Sequence, residues 1–121
     1  MKQVFLVFIG GGSGSVLRFL ISKHLNGLEH SLPYGTFLVN ILGSLLIGFI
    51  LGFAAKNPEF SNQYVILLAT GFCGGFTTFS AFAYENHLFL KSGDLISLAI
   101  YTLGTFIVGF LAVLLGVYIA K

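Results

Sequence analysis

The chain has 121 residues, of which six are Lys or Arg and four are Asp or Glu. At 8% charged and 56% hydrophobic, it cannot clothe a soluble domain, for which about 25% charge is usual, and this excludes most soluble enzymes and DNA-binding modules. A net charge of +2 is too small for a nucleic-acid partner, and the single cysteine, Cys73, excludes a disulfide framework and a Cys-based zinc site.

The charges leave long gaps, and a membrane-spanning helix needs about 20 apolar residues. The first gap, between Lys2 and Lys23, predicts a span over 3–22 and holds only Arg18. A signal peptide has a shorter apolar core, of about 7–15 residues, and a small-residue cleavage site; here the apolar stretch continues to Ile21, so it reads as a retained helix. Its run Gly10-Gly11-Gly12-Ser13-Gly14 is not a phosphate loop. It lacks the Gly-Lys-Ser/Thr ending and lies inside an apolar span.

The second span covers 33–55, with Pro33 at its start, where a helix tolerates proline. Thr36, Asn40, Ser44, Gly48 and Gly52 recur at every fourth residue. That spacing holds small groups near one helix face, where they let backbones approach. Asn40 does not fit packing alone. A carboxamide in the bilayer interior is costly unless it finds partners. It is either glue between helices or a donor facing a polar pathway. Asn57-Pro58 is a turn signal before the third span.

The third span covers 63–89 and contains Gly71-Phe-Cys-Gly-Gly-Phe-Thr-Thr-Phe-Ser-Ala-Phe-Ala-Tyr-Glu85. Gly74-Gly75 is a poor helix interior, and Thr77-Thr78 adds β-branched residues with hydroxyls. A break near the middle of this span is expected. Backbone freed at membrane depth survives only where protein or a polar cavity satisfies it, and such broken helices present carbonyls to cations or N-termini to anions. Phe76, Phe79 and Phe82 form a stripe that is either core or, through the positive edges of the rings, a surface for a small anion. The fourth span covers 95–120. The spans and their short loops leave room for one domain only, 1–121, an all-α membrane protein of four helices.

With four spans, Lys2, Lys56 and Lys121 fall on one side, and Arg18, Lys23 and Lys91 on the other. Orientation needs an excess of Lys and Arg on one side. The tie allows insertion in both directions.

The segment 71–82 resembles the signature of the small bacterial fluoride channels, the Fluc or CrcB family. The resemblance extends over nearly the whole chain: Gly10 to Arg18, Gly35-Thr36-Phe37-Leu38-Val39-Asn40 with Gly43 and Gly48, and Gly104-Thr105-Phe106 are similar to the family's first, second and fourth helices. The resemblance implies passive fluoride export across the bacterial plasma membrane by an antiparallel, dual-topology dimer with two pathways. The partner is a second copy of the chain or a paralogue. It implies a structural sodium ion on the two-fold axis, held by the backbone carbonyls of Gly74 and Thr77. It places Asn40, Phe79, Ser80, Phe82, Tyr101 and Thr105 along the fluoride pathway. Gly109 stands where some relatives have a hydroxyl, and Ala81 where the family usually has threonine. Arg18 and Glu85 are candidate vestibule charges; the residues alone also allow Arg18 to snorkel or cap a helix.

His24, His30 and His87 lack metal-ligand spacing and receive no site, and Cys73 reads as a packing residue. A small multidrug transporter would need a carboxylate in the first span, and positions 3–17 have none. A membrane enzyme would need a buried acid or base, and a pure assembly subunit has little use for Asn40 or an irregular third span.

Overall fold

The computed structural model describes residues 1–26 and 32–121; His30 lies outside them. Among the described residues the regular structure is all helical. Helix α1 runs Lys2–Leu25 and α2 runs Tyr34–Lys56. The third segment starts as α3 (Asn62–Val65), continues as a π-helical stretch Ile66–Cys73, and ends its first half as α4 (Gly74–Phe76). Helix α5 (Phe79–Ser92) completes it, and α6 (Leu95–Ile119) closes the chain. Four stretches are long and apolar enough to cross a membrane: Lys2–Leu25, Tyr34–Lys56, Asn62–Ser92 and Leu95–Ile119. These are the stretches that the charge gaps demand.

The ends of the helices follow local chemistry. Ser61 accepts from the Gln63 N–H at the start of α3, and Asp94 accepts from the Ser97 N–H at the start of α6. These bonds from Ser97 hold the Asp94 carboxyl below its ordinary range. Gly93 ends α5 in the left-handed region, φ 79°, which costs glycine nothing.

Few side chains are buried, and large apolar ones such as Phe8, Phe19, Ile96 and Phe110 are exposed. A surface of this kind suits hydrocarbon. Helices therefore associate by close backbone packing. Helix α2 lies along α6, and α1 lies along the π-helical stretch and α4. A Cβ on Gly14 would meet the Phe72 carbonyl and come 2.8 Å from the Phe76 nitrogen, and one on Gly116 would meet the Leu45 carbonyl and come 2.7 Å from the Phe49 nitrogen. Backbone cannot yield as a side-chain tip can. Gly116→Ala is expected to cost about 1–3 kcal/mol, the usual range for overpacking. Gly12→Ala, where a Cβ meets nothing within 4 Å, is expected to be neutral or slightly stabilising. Thermal unfolding of both variants in detergent checks the contrast; equal melting temperatures would show that the α2–α6 contact is loose.

Candidate functional site

The site forms where the third segment stops being helical. Gly74 keeps right-handed helical angles, φ −62° and ψ −38°. The double glycine is thus helical, and the irregularity falls on the next pair. Thr77 has φ −88° and ψ 157°, and Thr78 has φ −151° and ψ 118°. Both are extended, the conformation that β-branched residues favour. Thr78 then serves as the N-cap of α5, its hydroxyl accepting from the Ala81 N–H at 3.2 Å. Capping by threonine is a strong preference at helix starts.

This geometry redirects several backbone bonds. In an unbroken helix the Thr78 N–H would close on the Gly74 carbonyl. It is donated to Asn40 Oδ1 instead, at 2.8 Å, while Asn40 Nδ2 donates to the Thr78 carbonyl at 3.1 Å. The Ala81 N–H, which would otherwise close on the Thr77 carbonyl, goes to the Thr78 hydroxyl. Gly74 and Thr77 therefore both lose their helical donors. Cys73 does not: its carbonyl accepts from the Thr77 N–H at 3.0 Å and from the Thr77 hydroxyl at 2.8 Å. The Gly75 carbonyl accepts from Arg18 Nε at 2.9 Å and from the Ser15 hydroxyl at 3.3 Å.

Arg18 lies inside α1, about 10 Å of helix before its end at the standard rise. Its side chain turns to the Gly75 carbonyl, next to the C-terminal end of α4. Donation from an ionised group makes this bond stronger than a neutral one. Replacing Arg18 by Met is expected to destabilise the fold by about 1.5–3 kcal/mol, with a smaller loss for Arg18→Lys. The chemical unfolding midpoint in detergent measures it, and an unchanged midpoint for Arg18→Met would mean that the bond contributes nothing.

A cavity of about 480 Å³ opens beside the extended pair. Asn40, Thr77, Phe79, Phe82 and Thr105 line it, and so does Gly74. Phe82 is 5% exposed and Phe79 72%, so one ring is fixed in the core and the other stands at the lip. Their centroids are 5.8 Å apart. Tyr101 and Phe106 hold Phe82 from two further sides, at 5.1 and 5.8 Å, the second edge to face. Thr105 Oγ1 is buried and has no hydrogen-bond partner, an uncommon state for a buried hydroxyl.

Ser80, Tyr101, Arg18 and Glu85 lie outside the lining of this cavity. Ser80 pairs with the Thr78 hydroxyl at 3.1 Å. Tyr101 and Glu85 belong to a second cluster. Glu85 Oε1 accepts from the Tyr101 hydroxyl and Oε2 from the Thr36 hydroxyl, each at 2.6 Å. Asn26 Nδ2 donates to Thr36 Oγ1 at 3.0 Å, and Asn26 Oδ1 accepts from the Gly35 and Thr36 N–H groups. Glu85 also borders a second cavity of about 500 Å³, with Asn26, Tyr84 and Asp94.

Several of these participants carry no role in the sequence reading. Thr36 and Ser44 stood among small packing residues. Their four-residue spacing with Asn40 was the available signal of a polar column: Thr36 reaches Glu85, Asn40 reaches Thr78, and the Ser44 hydroxyl donates to the Asn40 carbonyl at 2.7 Å. Thr78 was legible as a threonine before a helical run. Asn26 and Ser15 gave no signal.

The described residues contain no group of three or more His, Cys, Asp or Glu side chains that could hold a metal ion.

The chain matches a family model described as CrcB-like protein, Camphor Resistance (CrcB), over residues 5–117. It is 45% identical to a protein of Gloeothece citriformis named fluoride-specific ion channel FluC, across all of this chain and 98% of that one. Proteins of the same name from Azobacteroides pseudotrichonymphae and Phocaeicola vulgatus are 45% and 43% identical, over 96% and 100% of this chain and 94% and 100% of theirs. With the match running from the first helix to the last, through Asn40, the extended threonines and both cavity phenylalanines, the chain belongs to the CrcB-like family.

Proposed function

We propose that the chain is a fluoride-specific ion channel that lets fluoride leave the cell passively and so relieves its toxicity. The observation that carries this is the full-length likeness to proteins named fluoride-specific channels, and the cavity beside Thr77–Thr78 is chemically suited to it. Fluoride is small and strongly hydrated, so a pathway must replace its water with donors. Thr105 offers an unpartnered hydroxyl, Asn40 retains one amide hydrogen beyond the one given to Thr78, and Phe79 and Phe82 offer ring edges. No Lys or Arg lines the cavity, and conduction needs binding weak enough to release the ion. Ser80, Tyr101 and the Glu85 cluster extend the polar groups toward one end of the bundle. Arg18 and Glu85 are then charges beside the route, in keeping with a vestibule role.

The functional unit in this reading is an antiparallel dual-topology dimer in the bacterial plasma membrane, with the third helix interrupted at Thr77–Thr78. The exposure of Phe79 and Gly74 in a single chain and the three-to-three split of basic residues support it. The residues also fit a structural sodium ion. The Gly74 and Thr77 carbonyls lack helical donors, a hard cation prefers oxygen ligands, and a second copy doubles the supply. When bound, the ion adds fixed positive charge beside an anion route.

Export is tested in a bacterial strain made fluoride-sensitive by loss of its own exporters. Expression of the chain is expected to restore growth in millimolar fluoride, and no restoration at normal membrane abundance would contradict export. Tags on the C-terminus are expected to label from both sides of the membrane; labelling from one side would make a paired-gene heterodimer the better assembly.

A further inference from the structure

We infer that Asn40 is a positioning residue for the cation site, holding the Gly74 carbonyl free of its helical bond. This rests on the sodium reading above but goes beyond it, because Asn40 there served only the anion.

Two acceptors compete for the Thr78 N–H. Gly74 has helical angles, and its carbonyl would accept from the Thr78 N–H if the helix continued. A buried peptide N–H must be paired somewhere. Asn40 Oδ1 takes that N–H at 2.8 Å, and Nδ2 returns to the carbonyl of the same residue at 3.1 Å. One planar carboxamide thus grips both polar groups of Thr78. The Thr78 N–H and C=O belong to the two peptide planes that flank its Cα, so the two-point grip holds both planes and with them the extended φ and ψ of Thr78, whereas a single-point contact would hold only one. The grip itself is anchored, since Asn40 sits on α2 between Thr36, tied to Glu85, and Ser44, tied to the Asn40 carbonyl. Gly43, on the next turn of α2, lies against the Thr77 methyl, so the same helix also supports the neighbouring peptide. Without Asn40 the Thr78 N–H can return to Gly74, and the carbonyl set loses a member. The anion route and the cation site are then coupled through one side chain, and a change at Asn40 disturbs both.

The test reads sodium binding without relying on flux. The purified dimer is unfolded thermally in detergent across a sodium titration at constant ionic strength, with N-methylglucamine as the balancing cation. Wild type is expected to gain melting temperature with sodium. Asn40→Ala is expected to raise the sodium midpoint by about tenfold or more, the range seen when groups that orient metal ligands are removed. Asn40→Asp retains the acceptor for the Thr78 N–H but loses the donor to the Thr78 carbonyl, so its sodium midpoint is expected to fall between those of wild type and Asn40→Ala, while its fluoride efflux falls because the charge repels the anion. Where Asn40→Ala yields no dimer, Asn40→Ser replaces it, with a hydroxyl too short to bridge both groups of Thr78. Wild-type sodium midpoints in Asn40→Ala or Asn40→Ser would overturn the inference, and so would an equal loss in Asn40→Asp. A wild-type protein that conducts fluoride but shows no sodium response would overturn the sodium reading itself, and the inference with it.

Discussion

Phe82→Ile is expected to reduce fluoride efflux by about tenfold or more while the dimer still forms. Tenfold corresponds to about 1.4 kcal/mol at the barrier, which is within reach of the loss of one aromatic edge contact. Isoleucine keeps apolar volume at a position that is 5% exposed, so folding is largely spared. It removes the ring edge and the contacts with Tyr101 and Phe106. Phe79→Ile is a cleaner probe of conduction, because that ring is 72% exposed in one chain and its loss removes little from the core of the chain. Efflux from proteoliposomes, with gel filtration to confirm the dimer, measures both. Unchanged flux in both variants would return the stripe to packing.

Thr36→Val is expected to destabilise the protein by about 1.5–3 kcal/mol, the range for a hydrogen bond to a charged group. Valine matches the shape of threonine, and Thr36 is 1% exposed, so packing is preserved and only the hydroxyl is lost. Two partners suffer: Glu85 Oε2 loses its donor and Asn26 Nδ2 its acceptor. Tyr101 still serves Oε1. The coupling is measured by a double-mutant cycle with Glu85→Gln. In the Glu85→Gln background the cost of losing the hydroxyl is expected to shrink toward that of a neutral bond, about 1 kcal/mol. An equal cost in both backgrounds would mean that Thr36 acts on Asn26 alone.

The four helices were legible because hydrocarbon imposes the strictest pattern in protein sequence: charge is nearly absent along each span, with Arg18 and Glu85 as inner exceptions. The four-residue spacing along the second span likewise announced close contact, and a Cβ on Gly48 would meet the Val113 backbone; Gly116, outside that series, meets backbone as well. The irregularity of the third segment was legible in composition, but its position was less so. The double glycine and the threonine pair both pointed to this stretch without saying which would yield; the backbone is helical at Gly74 and extended at Thr77 and Thr78. A glycine permits non-helical angles without requiring them. Thr78 requires them, because its hydroxyl competes for a backbone N–H and caps the next helix.

The polar side chains divide the same way. Asn40 was conspicuous as a lone amide in an apolar span. Its two-point grip on Thr78 could not be read, because it depends on how α2 lies against the third segment. Arg18 stands two helical turns inside α1, and its partner, the Gly75 carbonyl, is far away in sequence. Backbone partners leave no mark in a sequence, which is why Ser15, which donates to the Gly75 carbonyl, and Asn26, which accepts from the Gly35 and Thr36 N–H groups, passed unnoticed. What composition shows is where polarity is tolerated; what it holds together emerges only from packing.

The central claim is that this chain conducts fluoride and excludes other halides. Its most direct measurement is anion efflux from liposomes carrying the purified protein, followed with fluoride- and chloride-selective electrodes after potassium permeability is supplied to balance charge. The account predicts rapid fluoride release with chloride retained. Equal release of both ions, or no fluoride release from vesicles shown to contain folded dimer, would contradict it.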